Sequence, residues 1–290
     1  MYMYRREGRR REYRISRRIE RSSDMKICLV TVAQSVPGFE DFWFSVIQKG
    51  FSKVLRPDTL VVQKALKVGL ADPEDFVNLY YSHLNRASIV ETIIEAEREG
   101  YDAVVVGCFG DTGVKEARAV VDIPVIGPAE ATMLLACMLG RRFAIICANL
   151  PGLVPQHEEQ VREHGLRDRL ITNGIRPDIH SFEDTWTKSF SDPKFAADGV
   201  AERARELVAD GADVIVIGCC GIGPFCSAAG LHSIRVGDRN IPILDAQLIA
   251  FKFAEMAADL RIGAGLPPTS LPRPATEDVD RVRQRFGLPD

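Results

Sequence analysis

The sequence predicts an α/β fold of two pseudo-symmetric lobes. Each lobe is a short, mainly parallel sheet flanked by helices, with the candidate active site in the cleft between them. Three observations predict it. Residues 100–110 and 211–221 are copies of one another at a constant offset of 111, with Gly, Asp, Gly, Cys and Gly identical in register. Strand-like apolar runs alternate with helical patterns along the whole chain, which demands parallel sheets. Finally, each copy closes its β-branched run with Gly-Cys-x-Gly, where the strand must end, and ligands bind at the carboxyl ends of strands in parallel α/β layers.

The elements follow in order. Lys26–Ala33 reads as the first strand, and Pro37-Gly38 as a turn. Phe42–Leu55, rich in aromatic residues, is predicted helical and Thr59–Gln63 extended, with one or two helices over Asp75–Glu99. The first duplicated strand is Ala103–Gly107. After it, Asp111-Thr112 is the expected N-cap of a helix running to Val120. Ile123–Gly127 is a short strand and Pro128–Leu139 a helix. The second half repeats this order: strand Phe143–Cys147, helix Pro151–His164, a weak strand Ile179–Phe182 and helix Ala196–Ala209. There follow the duplicated strand Val214–Gly218, strand Asn240–Leu244 and a helix over Asp245–Arg261. The closing helix is expected to return to the first lobe. That makes residues 25–127 plus 245–262 the first lobe and 128–244 the second, with residues 263–290 as a peripheral tail.

Composition limits the function classes. The chain has 290 residues, 46% hydrophobic and 27% charged, as in soluble globular proteins. No apolar run approaches the roughly 18 residues of a transmembrane helix, and the start lacks the apolar centre of a secretory signal. The seven cysteines form no disulfide framework. Cys28, Cys137 and Cys147 lie in apolar runs, and a reducing cytoplasm is the expected compartment. Residues 1–24 hold nine Arg against four acidic residues; the remainder has 28 basic against 36 acidic, a balance of −8. This Arg-rich segment lacks apolar periodicity and reads as a disordered, non-functional extension before a first strand that begins at Met25. No basic stripe for nucleic acid follows it, and no membrane contact is expected. The sequence leaves homo-oligomer formation open.

The chemistry lies in the duplicated loops. A thiol near a helix N-terminus and its free backbone N–H groups is expected to have its pKa lowered toward neutrality. Gly110 and Gly221, two residues after each Cys, let backbone amides approach a bound anion. Two such loops facing each other would put a thiolate on one face of a substrate carbon and a thiol on the other. The register assigns these roles to Cys108 and Cys219; Cys220 falls opposite Phe109 as loop wall. Cys219, Cys220, Cys226 and His232 lack a Cys-x-x-Cys pair and the usual zinc spacing, so no metal is expected. No glycine-rich nucleotide loop is present, and no cofactor is expected. His83, His157, His164, His180 and His232 sit in no motif and read as surface or capping residues.

Residues 96–111, ending in Gly107-Cys108-Phe109-Gly110-Asp111, followed by Ile123-Pro-Val-Ile-Gly127-Pro-Ala-Glu130, resemble the hydantoin/allantoin racemase branch of the aspartate/glutamate racemase superfamily. Residues 211–221 resemble its second motif. The resemblance covers roughly Lys26 to Arg261. It implies cofactor-independent racemisation by two cysteines, here Cys108 and Cys219, at the α-carbon of a small hydantoin-like or amino-acid-like substrate. Phe109, Gly110, Cys220 and Gly221 would then form the substrate's immediate surroundings. The family's Asn-Pro-Asn-Thr-Ser loop, which helps hold substrate, aligns with Thr31-Val32-Ala33-Gln34-Ser35, of which only Ser35 is retained. The proline that often follows Cys-Phe-Gly-Asp is Thr112 here. Two further readings stay open: a cysteine-dependent cis–trans isomerase or decarboxylase of a small dicarboxylic acid, and a non-catalytic small-molecule binding protein.

Overall fold

The computed structural model describes residues 24–34 and 39–288, with side chains in the first helix from Trp43 onward. The Arg-rich extension and Ser35 lie outside the described residues. Strands β1 (Met25–Gln34), β2 (Thr59–Leu66), β3 (Ala103–Val106) and β4 (Val125–Ile126) form a wholly parallel sheet in the order β2-β1-β3-β4. A second sheet, in the order β6-β5-β7-β9-β8, contains β5 (Phe143–Cys147), β6 (Leu170–Pro177), β7 (Val214–Gly218), β8 (Ser233–Val236) and β9 (Arg239–Asp245). Its first four strands are parallel and repeat the first sheet's order; β8 is an added antiparallel edge.

The central strands read as continuous apolar runs because both faces of each sheet are covered. Side chains alternate across the pleat. Met25, Ile27 and Leu29, with Ala103 and Val105, therefore face one core, while Cys28, Val30, Val104 and Val106 face another. On the first face lie α1 (Phe39–Phe51) and α9 (Ala246–Ala264); on the second lie α2 (Leu79–Arg98) and α3 (Val114–Arg118). In the second sheet Phe143, Ile145, Val214 and Val216 pack on α4 (Pro128–Leu139) and α5 (Leu153–Glu163). Ala144, Ile146, Ile215 and Ile217 share a core with α7 (Lys194–Ala209) and α8 (Gly223–Ala228). α4 leaves the first sheet and packs on β5, β7 and β9; α9 leaves the second and packs mainly on β1, β3 and β4; the two helices also pack on each other.

Several expectations are corrected. The weak strand expected at Ile179–Phe182 is not a strand. The edge strand is β6, where the register shifts between its pairings with Phe143 and Ile145 and Asn173 takes a left-handed φ of 51°. That bulge breaks the apolar alternation that would have marked the strand. Phe182 instead opens α6 (Phe182–Ser191), capped by Ser181, whose Oγ accepts from Asp184 N at 3.1 Å. Asp111 does not cap the helix after it: α3 begins at Val114 with Gly113 as N-cap. The tail contains a helix, α10 (Thr276–Arg285). No described helix is long and apolar enough to cross a membrane.

Candidate active site

Cys108 follows β3 and Cys219 follows β7, so an interior strand of each sheet delivers one thiol at its carboxyl edge. Both thiols line a single cavity of about 420 Å³. Phe109, Gly110, Cys220 and Gly221 line it too, as do Thr31–Gln34 ahead of Ser35. Cys108 and Cys219 are each partly accessible. Cys220 is buried and packs in one apolar cluster with Phe109.

Two glycines make the loops fit. A Cβ on Gly218 would lie 2.5 Å from the Ile145 side chain and 3.2 Å from the Phe109 ring. One on Gly221 would meet the Trp186 ring at 2.9 Å.

The thiols differ from the sequence expectation. Burial, aided by the charge of Cys219, pushes Cys108 up to about 11 against the Gly110 N–H, 3.4 Å from the sulfur, and the Thr112 hydroxyl, which oppose it. Cys219 is also raised by burial, against N–H groups of Ile222 and Gly221. The reason is local. Neither thiol sits at a helix N-terminus, since α3 starts six residues after Cys108 and α8 four after Cys219. What remains is two donors at each sulfur, all backbone N–H groups except the Thr112 hydroxyl, which favour the thiolate without outweighing desolvation. The glycine amides expected to cradle a substrate anion are thus partly engaged by the cysteines themselves.

The remaining wall is aromatic and neutral. Trp43 from α1 and Trp186 from α6 lie with ring centroids 5.2 Å apart, and Phe76 and Phe182 complete the surface. Among the described residues the lining contains no Lys, Arg, Asp or Glu. It does contain four side chains with a buried polar atom lacking a hydrogen-bond partner: Gln63 Oε1, Gln156 Oε1, His157 Nε2 and Gln247 Nε2. Sequence reasoning missed all four. For His157 a signal existed: it lies one turn from both Leu153 and Val161 on the inward stripe of α5, and it is buried rather than superficial. The glutamines carry no such mark. Among the described residues, no three His, Cys, Asp or Glu side chains converge as metal ligands.

The sequence model described as Asp/Glu/Hydantoin racemase matches residues 73–254. A hydantoin racemase of Pseudomonas sp. (strain NS671) is 31% identical over 216 residues, 74% of this chain and 80% of that protein. In structure the chain is similar to allantoin racemase from Klebsiella pneumoniae, with a TM-score of 0.67 at 22% identity over 87% of this chain and 95% of that one. Allantoin racemase from Pseudomonas fluorescens gives 0.65 at 21% identity, over 87% and 99%. The sequence matches establish that the chain belongs to the Asp/Glu/hydantoin racemase family and is an isomerase of the racemase class.

Proposed function

We propose that the protein racemises a neutral, hydantoin-like ring by two-base proton transfer between Cys108 and Cys219, without an added cofactor. The observation that carries this reading is that two thiols share one cavity whose described lining holds no charged side chain. A free amino acid would bring a carboxylate into a site with no cation among its described lining residues, and an unpaired buried charge is costly. A cyclic ureide brings only neutral donors and acceptors.

In each turnover one cysteine, as thiolate, removes the proton from the ring carbon. The electron pair delocalises into the adjacent carbonyl, and the opposite thiol protonates the carbon from the other face. Because a charge on Cys219 raises the pKa of Cys108, the pair favours a single negative charge, which is the state such a transfer requires. Aromatic side chains around the ring favour an apolar, preferably aromatic, substituent at that carbon.

The test is a set of time courses in heavy water on 5-benzylhydantoin, allantoin and free phenylalanine, following α-deuteration and optical rotation together. The expected result is inversion with deuterium uptake for the benzyl ring and none for phenylalanine. Turnover of the free amino acid in preference to the rings would overturn the reading.

A further inference from the structure

Residues 71–77 form a wall of the thiol cavity a single chain thick. Ala71, Pro73, Phe76 and Val77 line the cavity, and Asp72 and Glu74 are exposed to solvent. The segment is tied at both ends. Before it, Leu70 donates its N–H to Asn85 Oδ1 at 3.1 Å, and its carbonyl accepts from Gln34 N at 2.9 Å. After it, Asn78 caps α2, with Oδ1 accepting the N–H groups of Tyr80 and Tyr81. Between these ties, the hydrogen bonds of residues 71–77 among the described residues stay within the segment or reach only Asn78. None of Pro73–Val77 is fully buried. What closes the wall is apolar contact. Val77 stands opposite Gly152, the N-cap of α5 in the other half of the chain, where an added Cβ would lie 3.8 Å from Val77 Cβ. Val77 also borders a second cavity of about 640 Å³, lined by Gly152 and by charged side chains including Arg86, Lys115 and Glu130. A segment with so little buried surface and no outward hydrogen bonds opens at low cost while the sheets stay folded.

We infer that residues 71–77 are a strap that gates the cavity, with the Val77–Gly152 contact as its latch. When the latch parts, the second cavity and the thiol cavity become continuous, and a ligand passes Val77 to reach Cys108 and Cys219. The gate serves any ligand of the two thiols, so it does not depend on the ring chemistry proposed above.

A disulfide suits the latch, because a Cβ–Cβ spacing of 3.8 Å falls at the cystine mean. The experiment is labelling of the Val77→Cys/Gly152→Cys variant with N-phenylmaleimide at pH 8, cross-linked and after reduction by dithiothreitol. Wild type and the two single variants are treated in parallel, and each thiol is read by peptide mass. The cross-link should slow modification of Cys108 and Cys219 at least about tenfold, since labelling follows the population of the open form. Reduction should restore the rate, and Cys137, half-buried on α4 and outside the cavity lining, should label equally throughout. Undiminished labelling of Cys108 and Cys219 in the cross-linked protein overturns the inference. Gly152 has a left-handed φ of 91°, so cysteine is strained there; if the pair fails to fold or to cross-link, Val77→Ala decides. Loosening the latch should speed labelling of both thiols about three- to tenfold. The factor should be the same for iodoacetamide as for the bulkier maleimide, because both wait for one opening. Acceleration confined to the maleimide would mark a widened static hole and overturn the gate, as would no acceleration at all. Labelling reads access without turnover, so a failure of racemisation leaves the gate standing.

Discussion

The Asp111 carboxylate occupies the space that a side chain on Gly127 would fill: a Cβ there would lie 2.5 Å from Asp111 Oδ2. From its loop, Asp111 accepts the N–H groups of Ala129 and Glu130, each at 2.9 Å, and so caps α4 from outside. In the other half Asp245 stands at the N-cap itself and accepts from Gln247 and Leu248, the corresponding positions of α9. Strand pairing makes Gly127 and Asp245 equivalent, since Val105 pairs with Ile126 as Val216 pairs with Leu244. A Cβ on Gly223, the first residue of α8, would strike the Asp245 carboxylate. The capping carboxylate thus comes from the cysteine loop in one half and from the N-cap in the other, and in each half a glycine leaves room for it.

This arrangement predicts a rescue. Asp111→Gly should cost about 1 kcal/mol through the lost cap; the left-handed φ of 48° at this position suits glycine. Gly127→Asp alone should cost roughly 1–3 kcal/mol by overpacking against Asp111. The double variant should be more stable than either single one in urea unfolding. Simple addition of the two losses would show that the carboxylate cannot cap from the N-cap position of α4.

Cys108→Ser and Cys219→Ser should each lower racemisation by at least about 10²–10⁴-fold. Each should still exchange the α-hydrogen of one enantiomer, and the two should prefer opposite enantiomers. Cys220→Ser should retain exchange, because that side chain is packed in the apolar cluster with Phe109. Exchange time courses on each pure enantiomer decide the matter; an active Cys219→Ser beside a dead Cys220→Ser would reverse the assignment.

Thr112→Val should raise the pKa of Cys108, since the hydroxyl is one of the two groups favouring its thiolate. Alkylation of Cys108 by iodoacetamide, read by peptide mass at pH 8, should slow by about two- to tenfold, with Cys219 labelling unchanged. Equal slowing at both thiols would point to a general disturbance.

Stability should depend on pH through the two capping carboxyls. Burial raises Asp111 to about 7 and Asp245 to about 6, from an ordinary 3.8. Below pH 4 both states hold these protons; above it the unfolded chain releases them first. Their contribution is therefore full at low pH and is lost as pH rises through 6 and 7. His157 acts in the opposite sense: its contribution is present above pH 6.5 and lost as pH falls through about 4. Asp111→Asn should flatten the decline between pH 4 and 7, and His157→Gln should steepen it. Denaturant titrations across that range would reject the assignment if neither slope moved.

Arg283→Ala should cost about 1–3 kcal/mol. Its guanidinium is nearly buried and grips Glu91 of α2 at 2.6 and 2.9 Å, tying α10 to the first sheet's helical layer. A loss of stability below about 0.5 kcal/mol would show the contact to be a surface pair.

The sequence made some elements legible and hid others for physical reasons. Ala103–Val106, Phe143–Cys147 and Val214–Gly218 are buried on both faces, so their unbroken apolar runs announce themselves. β6 carries Asn173-Gly174 at its bulge and loses that signal. Cys108 and Cys219 were legible because duplication puts them in register. Gln63, Gln156 and Gln247 reach the cavity from β2, α5 and α9 only once the sheets converge, and no local pattern records that.

The crossing of α4 and α9 has a mechanical consequence. Each half of the chain gives its last helix to the opposite sheet, so a fragment ending at Leu139 would leave the α9 side of β1, β3 and β4 bare and its own α4 without a floor. The halves are interlocked like clasped hands, and neither can be excised as a stable unit.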